Sequence, residues 1–305
     1  MRKFLMGSKE KEGFLKMLVI YLLLICIGFI YIYPILYMIS QSFMSLDDLL
    51  DSSISWIPSS LTISNYVSAA GAMEFWKSFG MSIIVAGVPT ICSLISCSII
   101  GYGLARFEFP GNKFILGCIL VSWVLPRQVT MTSTYVMNST LGINGSLLAF
   151  ALPALLGQGL NSAIFILIFW QFFRQTPKAL IEAASIDGAG YFKSFFQISV
   201  PSAAPAYLTV ALFSFVWYWN ESYLTEMYVV GMTSKSAWTT LIIELDNFSD
   251  TYSTYSSSTV TSAASINESI QMAATVLSIL PLLIMYLFLQ KYFIESIDRA
   301  GITGE

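Results

Sequence analysis

Long stretches without any charged residue dominate the pattern of hydrophobic and polar positions along this chain. A membrane-spanning helix needs about 20 consecutive apolar residues, so each such stretch is a candidate span. The main stretches cover residues 17–46, 78–105, 128–173, 194–220 and 269–290. The pattern therefore predicts an integral membrane protein built from several helices.

The stretch 128–173 is too long for one span, because its 46 residues would form a helix of about 69 Å, more than twice the membrane thickness. The polar run 138–140, followed by Gly142, Asn144 and Gly145, interrupts it and predicts a turn. Six membrane-spanning helices are therefore predicted, at roughly 17–43, 79–105, 114–134, 147–173, 203–222 and 269–290. The predicted fold class is all-α, with residues 1–305 as a single transmembrane domain.

The positions of lysine and arginine predict how the chain crosses the membrane, because loops rich in these residues stay cytoplasmic. With both termini cytoplasmic, twelve of the 15 basic residues lie on the inner side, and only Lys77, Arg127 and Lys235 do not. A cleaved signal peptide is the alternative for residues 1–43, but their apolar run is far longer than a signal-peptide core. The run is expected to remain as the first span.

Composition agrees with the membrane assignment and excludes several functions. The chain is 56% hydrophobic and only 11% charged, with a mean hydropathy of +0.71. A net charge of −3 gives no basic excess for nucleic acid, and the absence of histidine removes the commonest metal ligand. The four cysteines lie in apolar runs without metal-site spacing, and we interpret them as small apolar residues.

Two outer segments are longer than a compact helix bundle needs. Residues 44–77 contain several aromatic side chains, and residues 223–268 form a predicted extracytoplasmic loop with a Ser/Thr-rich tract at 253–259. The tract has the composition of a solvated loop. These segments either receive a partner or act only as connectors.

The segment between the fourth and fifth spans, residues 174–201, contains more local structure than a connection requires. Thr176 and Pro177 predict the start of a short helix, and Gly188 predicts its end. A second short helix from about Tyr191 would carry Phe192, Phe195 and Phe196 on one face, before Pro201 opens the next span. Two short helices with exposed apolar side chains would form a docking surface on the cytoplasmic side.

The same segment resembles the EAA loop of ABC importer permeases. The matching residues are Glu182, Ala183, Ala184 and Gly188, followed by the sequence Ile-Ser-Val-Pro at 198–201. Residues 101–107 and 125–128 look like the carbohydrate branch of these permeases, specifically the maltose-type second permease subunit. The resemblance extends over nearly the whole chain.

This resemblance implies the type I ABC importer permease fold in a bacterial plasma membrane, surrounded by lipid. It implies four partner chains: a homologous second permease, two cytoplasmic ATP-binding subunits and an extracytoplasmic sugar-binding protein. The sequence contains no P-loop motif, so ATP is expected to bind only to the ATPase subunits, and no cofactor is expected on this chain. The residues implied to couple to the ATPase are Glu182, Ala183, Ala184, Asp187, Gly188, Phe192, Phe195, Ile198 and Pro201.

The C-terminal tail departs from the family pattern. Ser296 and Thr303 stand where the family usually has glycine and lysine. Contact between the tail and the ATPase is implied, but its detail is not carried over.

A sugar pathway needs aromatic faces and amide or hydroxyl groups on an otherwise uncharged wall. The candidates are an aromatic cluster with Trp217, Tyr218, Trp219 and Asn220 at the end of the fifth span, and Gln158 and Asn161 in the fourth. Arg127 is the one formal charge predicted inside a span, where a charge usually faces a cavity or reaches the interface. The alternative roles are an interfacial aromatic belt and hydrogen bonds between helices.

Three other functions remain open. An ion-coupled secondary carrier would need titratable acids or histidines between the helices, and none is placed there. A membrane scaffold would explain the composition but not the segment 174–201. An ABC permease for a solute other than sugar shares every feature except the carbohydrate-branch motifs.

Overall fold

A computed structural model describes residues 7–8, 11–12, 14–186, 188–230, 237–258 and 266–302. Apart from a two-residue antiparallel pairing of β1 (Gly7–Ser8) with β2 (Lys11–Glu12), the regular structure of these residues is helical. The helices are α1 Phe14–Ser42, α2 Leu46–Leu50, α3 Ser64–Ala72, α4 Phe75–Arg106, α5 Asn112–Val124, α6 Arg127–Thr140, α7 Leu148–Leu155, α8 Ser162–Gln175, α9 Lys178–Ile186, α10 Tyr191–Ser194, α11 Val200–Ser202, α12 Ala204–Asn220, α13 Tyr223–Thr225, α14 Leu241–Asp246, α15 Phe248–Ser258 and α16 Glu268–Ile302. Two π-helical turns, Phe195–Ser199 and Glu226–Val230, interrupt this series. The all-α prediction is confirmed.

The chain divides into two compact units. The first unit contains the residues up to Ala72 together with Phe248–Ile279, and the second contains Met73–Asn247 with the residues from Leu280 onward. Within the first, α1 leaves large apolar side chains exposed on all sides, as a helix surrounded by lipid or partner helices does. Gly71 of α3 allows close packing on α15, since a Cβ there would lie 2.6 Å from the Tyr255 hydroxyl oxygen.

The second unit is built around α4, which packs against α7, α8 and α12. Gly101 of α4 lets the backbones approach, because a Cβ at this position would lie 2.7 Å from the Phe169 Cβ and 2.9 Å from the Trp170 nitrogen. The core is largely aliphatic and aromatic, with Cys97, Tyr102, Leu104, Phe165, Ile166, Phe169, Phe173, Phe195, Ala203, Ala206 and Val210.

Among the described residues, three helical stretches are long and apolar enough to cross a membrane singly: Leu15–Ser42, Phe75–Arg106 and Glu268–Lys291. They agree with the first, second and sixth predicted spans. Two bent pairs of helices bring the number of candidates to five, and α8 is a shorter apolar helix. The total of six spans and the cytoplasmic side of the termini stay predictions.

The third and fourth spans differ from the continuous helices predicted at 114–134 and 147–173. Helices α5 and α6 meet at a bend of 100°, because Pro126 has no N–H to continue the helical ladder. The fourth predicted span is broken after α7, where Gly157 and Asn161 have φ of +75° and +55°. Both deviations therefore replace continuous helix by irregular backbone next to Arg127 and Asn161.

The predicted outer loop at 223–268 is largely helical where it is described. The Ser/Thr tract from Ser253 to Ser258 lies in α15 and is helical, while the extracytoplasmic position of this segment stays a prediction. Their hydroxyls donate to carbonyls one turn earlier, for example Ser253 Oγ to Asp250 O at 2.8 Å and Ser257 Oγ to Ser253 O at 2.7 Å. Thr259 lies outside the described residues.

Candidate functional sites: an exposed elbow and a pair of cavities

Residues 174–201, here called the elbow, join α8 to α12 through two short helices. Helix α9 ends as predicted at Gly188, whose φ of +80° is the left-handed conformation that favours glycine. The N–H of Gly188 donates to Ser185 O at 3.1 Å and the N–H of Ala189 to Ala184 O at 2.9 Å. This hydrogen-bond pair is a Schellman motif, and it fixes the direction in which the chain leaves α9.

The start of α9 differs from the prediction that Thr176 caps it. The Thr176 hydroxyl donates to Phe172 O at 3.4 Å and therefore belongs to the end of α8. Arg106 donates to the Thr176 carbonyl at 3.0 Å, and the Pro177 carbonyl accepts the N–H of Leu180 at 3.2 Å. The base of the elbow is thus tied to α4 as well as to α8.

Phe195 anchors the elbow in the protein core. Its ring lies 4.9 Å from Tyr102 and 6.1 Å from Phe173, between ring centroids, and the side chain is buried. Phe192 and Phe196, in contrast, are 83% and 62% exposed. The predicted single face with all three rings is therefore wrong, because the π-helical turn that begins at Phe195 changes the residue spacing on which that face depended.

Among its described residues, the rest of the elbow exposes apolar side chains, the acid Glu182 and the basic residues Arg174 and Lys193. Its exposed apolar side chains are Leu180, Ile186, Tyr191, Phe192 and Phe196. Glu182 and Ala183 are exposed beside them, Ala184 and Ile198 are half-buried, and Pro201 is exposed in α11. Asp187 lies outside the described residues. An exposed apolar patch of this kind is suited to binding another protein.

Arg127 defines a second site, inside the second unit. It is the first residue of α6, and its Nη2 donates to Asn161 Oδ1 at 3.0 Å. Arg127 lines two cavities, of about 110 Å³ and about 220 Å³, and Asn161 lines the larger one. Arg127, Thr130, Gln158 and Gly159 line both, so the two broken spans meet at the boundary between them.

Hydrogen bonds from neighbouring helices hold the break between α7 and α8 in place. The Tyr218 hydroxyl accepts the N–H of Leu160 at 2.9 Å, and Ser96 Oγ donates to Ala154 O at 2.6 Å. Gly159 leaves room for this arrangement, because a Cβ would lie 2.7 Å from the Tyr218 hydroxyl oxygen. Backbone groups on both sides of the break are therefore hydrogen-bonded to neighbouring helices, which irregular backbone in a membrane requires.

The structure brings together three of the six residues predicted for a substrate pathway: Arg127, Gln158 and Asn161. Trp217 instead stacks on Phe165 at 5.3 Å, and Trp219 packs against Phe79 at 6.2 Å, both between ring centroids. Neither tryptophan lines the two cavities, and Asn220 is exposed. A pathway role for these residues stays a prediction.

Tyr218 belongs to the aromatic cluster named from the sequence, whereas the further lining residues Thr130, Thr134 and Tyr228 were not singled out. Tyr218 is the member of the α12 aromatic cluster that lines the smaller cavity. Thr130 and Thr134 line it from α6, and Tyr228 lines it from the π-helical turn that follows α13. The Tyr228 hydroxyl donates to Met131 O at 2.8 Å. Thr130 and Thr134 are four residues apart, so the sequence could have placed them on one face of a helix. The contact between Tyr228 and Met131 joins residues 97 apart and could not be found in this way.

Long apolar helices, irregular backbone beside two cavities, and the exposed elbow are together typical of a membrane transport component. Comparison with known protein families supports the same assignment. Residues 97–299 match the family described as "Binding-protein-dependent transport system inner membrane component", and the chain belongs to this family. The matched region includes the elbow and both cavities.

Individual relatives extend the match over most of the chain. The chain is 29% identical over 283 residues to the arabinooligosaccharides transport system permease protein AraQ of Halalkalibacterium halodurans, with 91% of this chain and 93% of that protein covered. It is 30% identical to the diacetylchitobiose uptake system permease protein NgcG of Streptomyces coelicolor, with 91% and 86% covered. A bacterial ABC transporter that imports the acidic polysaccharide alginate contains a chain with the same fold, at a TM-score of 0.77, 22% identity, and 92% and 96% coverage.

These findings confirm the resemblance to ABC importer permeases. The chain is an integral membrane permease component of an ABC transport system and is not itself an enzyme. Components of this kind work with an ATPase and a substrate-binding protein.

Proposed function

We propose that this chain is the transmembrane permease subunit of an ATP-driven importer of carbohydrate, specifically of an oligosaccharide, and that the elbow couples it to a separate ATPase. In this proposal the chain forms half of the translocation pathway. A homologous second permease forms the other half, two cytoplasmic ATP-binding subunits supply the energy, and an extracytoplasmic sugar-binding protein delivers the cargo.

The observation that carries the coupling role is the construction of the elbow. Phe195 is buried against Tyr102 and Phe173, while Phe192 and Ile186 remain 83% and 86% exposed. A segment that is anchored in the core by Phe195, tied to α4 and α8 at its base, and apolar on its outside can transmit the motion of a bound partner into these two helices. The exposed Glu182 adds a charge that a basic residue of the ATPase can pair with.

The carbohydrate assignment is supported by the names of the relatives, which are permeases for arabinooligosaccharides and diacetylchitobiose. The chemical groups that line the two cavities are suited to a polar cargo such as a sugar. Hydroxyl, amide and aromatic groups of Thr130, Gln158, Tyr218 and Trp123 line them, as sugar recognition requires.

Uptake in proteoliposomes tests the proposal. The permease, its partner permease and the ATPase are reconstituted, and uptake of a labelled arabinooligosaccharide or chitooligosaccharide delivered by the binding protein is measured. Uptake is expected only when the proteoliposomes contain ATP and the ATPase is present. Uptake driven by an ion gradient without the ATPase would instead indicate a secondary carrier, and ATP-driven uptake restricted to a non-sugar solute would refute the carbohydrate assignment.

A further inference from the structure

The break between α7 and α8 places two amide side chains at the larger cavity. Gly157 and Asn161 on either side of the break have φ of +75° and +55°. Between them, the N–H of Gln158 donates to Pro153 O at 2.8 Å, which ties this irregular stretch back to α7. Gln158 and Asn161 both line the larger cavity, so the break brings their amides to one place.

Both amides keep groups that can bind a solute. The Gln158 side chain is exposed, and its amide makes no hydrogen bond within the described residues. Asn161 accepts Arg127 Nη2 through Oδ1, which leaves its Nδ2 as a donor. An amide group both donates and accepts hydrogen bonds, and a sugar hydroxyl does the same. Two amides at one cavity are therefore suited to binding the hydroxyl groups of a saccharide.

Trp123 of α5 adds an apolar surface to the same cavity. It lines the cavity and is 52% exposed. The face of an indole ring is large, apolar and electron-rich, so the C–H groups of a sugar ring can pack against it. Ser122 and Leu125, its neighbours on the cavity wall, are exposed as well. The cavity is therefore open on the side of α5, where a solute can enter.

The charge at the cavity favours a neutral solute. Of the described residues that line the larger cavity, Arg127 is the only one with a formal charge. That charge is already partly balanced, because Asn161 Oδ1 accepts from the guanidinium and Glu221 acts on it electrostatically. The remaining N–H groups of Arg127 can donate to neutral oxygens. The cavity repels a cation and does not need an anion.

We propose that the larger cavity is a saccharide subsite supplied by this chain, in which a neutral sugar ring packs on Trp123 and its hydroxyls bind the amides of Gln158 and Asn161. The contact with Arg127 fixes which end of the Asn161 amide is left for the sugar. The permease then selects the cargo in addition to any binding protein that delivers it. This inference rests on the proposed function, because it assumes that the cargo is a carbohydrate.

Saturation-transfer NMR on the complete transporter in lipid nanodiscs, without the binding protein, tests the subsite. The probes are arabinobiose, diacetylchitobiose and, as a non-sugar, glycylglycine. At least one of the two sugars should bind saturably to the wild type. Gln158→Leu should weaken its affinity about fivefold or more, since hydrogen bonds to the sugar are lost, and Trp123→Leu should weaken it several-fold. Gln128→Leu and Trp76→Leu are the matched controls and should bind normally, because these exposed side chains line neither cavity.

Each contrary result has a distinct meaning. No saturable binding of either sugar to the wild type, or equal affinities in Gln158→Leu and Gln128→Leu, would overturn the subsite. Glycylglycine that binds as tightly as the sugars and weakens in the same variants would show a general site for polar solutes and would overturn the saccharide assignment. Association with the ATPase shows that each variant assembles, and Gln158→Met takes the place of Gln158→Leu if that variant does not.

Uptake separates this inference from the proposed function. ATP-driven uptake of an oligosaccharide, together with unchanged sugar binding in Gln158→Leu, would refute the subsite and leave the proposed function intact. Absence of ATP-driven uptake of any oligosaccharide would refute the proposed function itself.

Discussion

Asp48 stabilises the turn that follows the first long helix. Ser45 caps α2 and accepts the N–H of Asp48 at 3.1 Å, while the Asp48 carboxylate accepts the N–H of Ser45 at 3.4 Å. The carboxylate also accepts the Ser59 hydroxyl and, at 3.2 Å, the Ser59 N–H, which closes residues 45–59 into a loop. The bond from the Ser59 hydroxyl is the largest of the effects that hold the pKa of Asp48 below its ordinary value of 3.8.

Replacing Asp48 by Asn should loosen this loop. Because the pKa of Asp48 is lowered in the folded protein, its contribution is present above pH 3.8 and is lost as pH falls through the lowered pKa. Hydrogen exchange of residues 45–59, corrected for the intrinsic pH dependence, should be several-fold faster in Asp48→Asn at pH 7. Asp47→Asn, one residue earlier and exposed, is the control. Equal exchange in the two variants would show that the carboxylate does not hold the loop.

At the scale of helices, the hydrophobic pattern predicted the length of each helical segment better than the direction in which the chain continues after it. It located α1, α4 and α12 closely, because a charge-free run measures how much chain lies in the apolar region. It could not predict the 100° bend at Pro126, because an apolar run has the same composition whether straight or bent. The left-handed Asn161 and the π-helical turn at Phe195 are set by tertiary packing, which no local pattern records.

The elbow depends on the left-handed residue at its turn. Gly188→Thr places a β-branched side chain at φ +80°, which costs about 1 to 2 kcal/mol and disrupts the Schellman motif. Gly190→Thr is the matched control, because Gly190 has φ −73° at the N-cap of α10, where threonine is favourable. Hydrogen exchange of the backbone amides at positions 188 and 189 should be faster in Gly188→Thr and unchanged in Gly190→Thr. Equal protection in both would mean that the motif does not fix the elbow.

For the whole molecule, the family and the position of the elbow could be read from the sequence, whereas the cavities could not. The EAA-like residues are contiguous and therefore visible in one chain segment. The cavities arise where Arg127 meets Asn161, 34 residues later, and where Tyr218 meets Leu160, 58 residues earlier. The placement of Trp217 and Trp219 in packing contacts follows from the same long-range geometry, since composition alone does not distinguish a cavity-lining ring from a packed one.

The central claim is that the elbow is the contact through which a separate ATPase acts on this permease. Co-purification of the ATPase with the permease pair, together with ATP hydrolysis stimulated by the loaded binding protein, measures this contact most directly. Glu182→Lys should reduce both by about tenfold or more, since a charge-assisted contact is replaced by a repulsive one. Asp250→Lys, at an exposed acid of α15, should leave both unchanged. Wild-type association and stimulated hydrolysis in Glu182→Lys would contradict the claim.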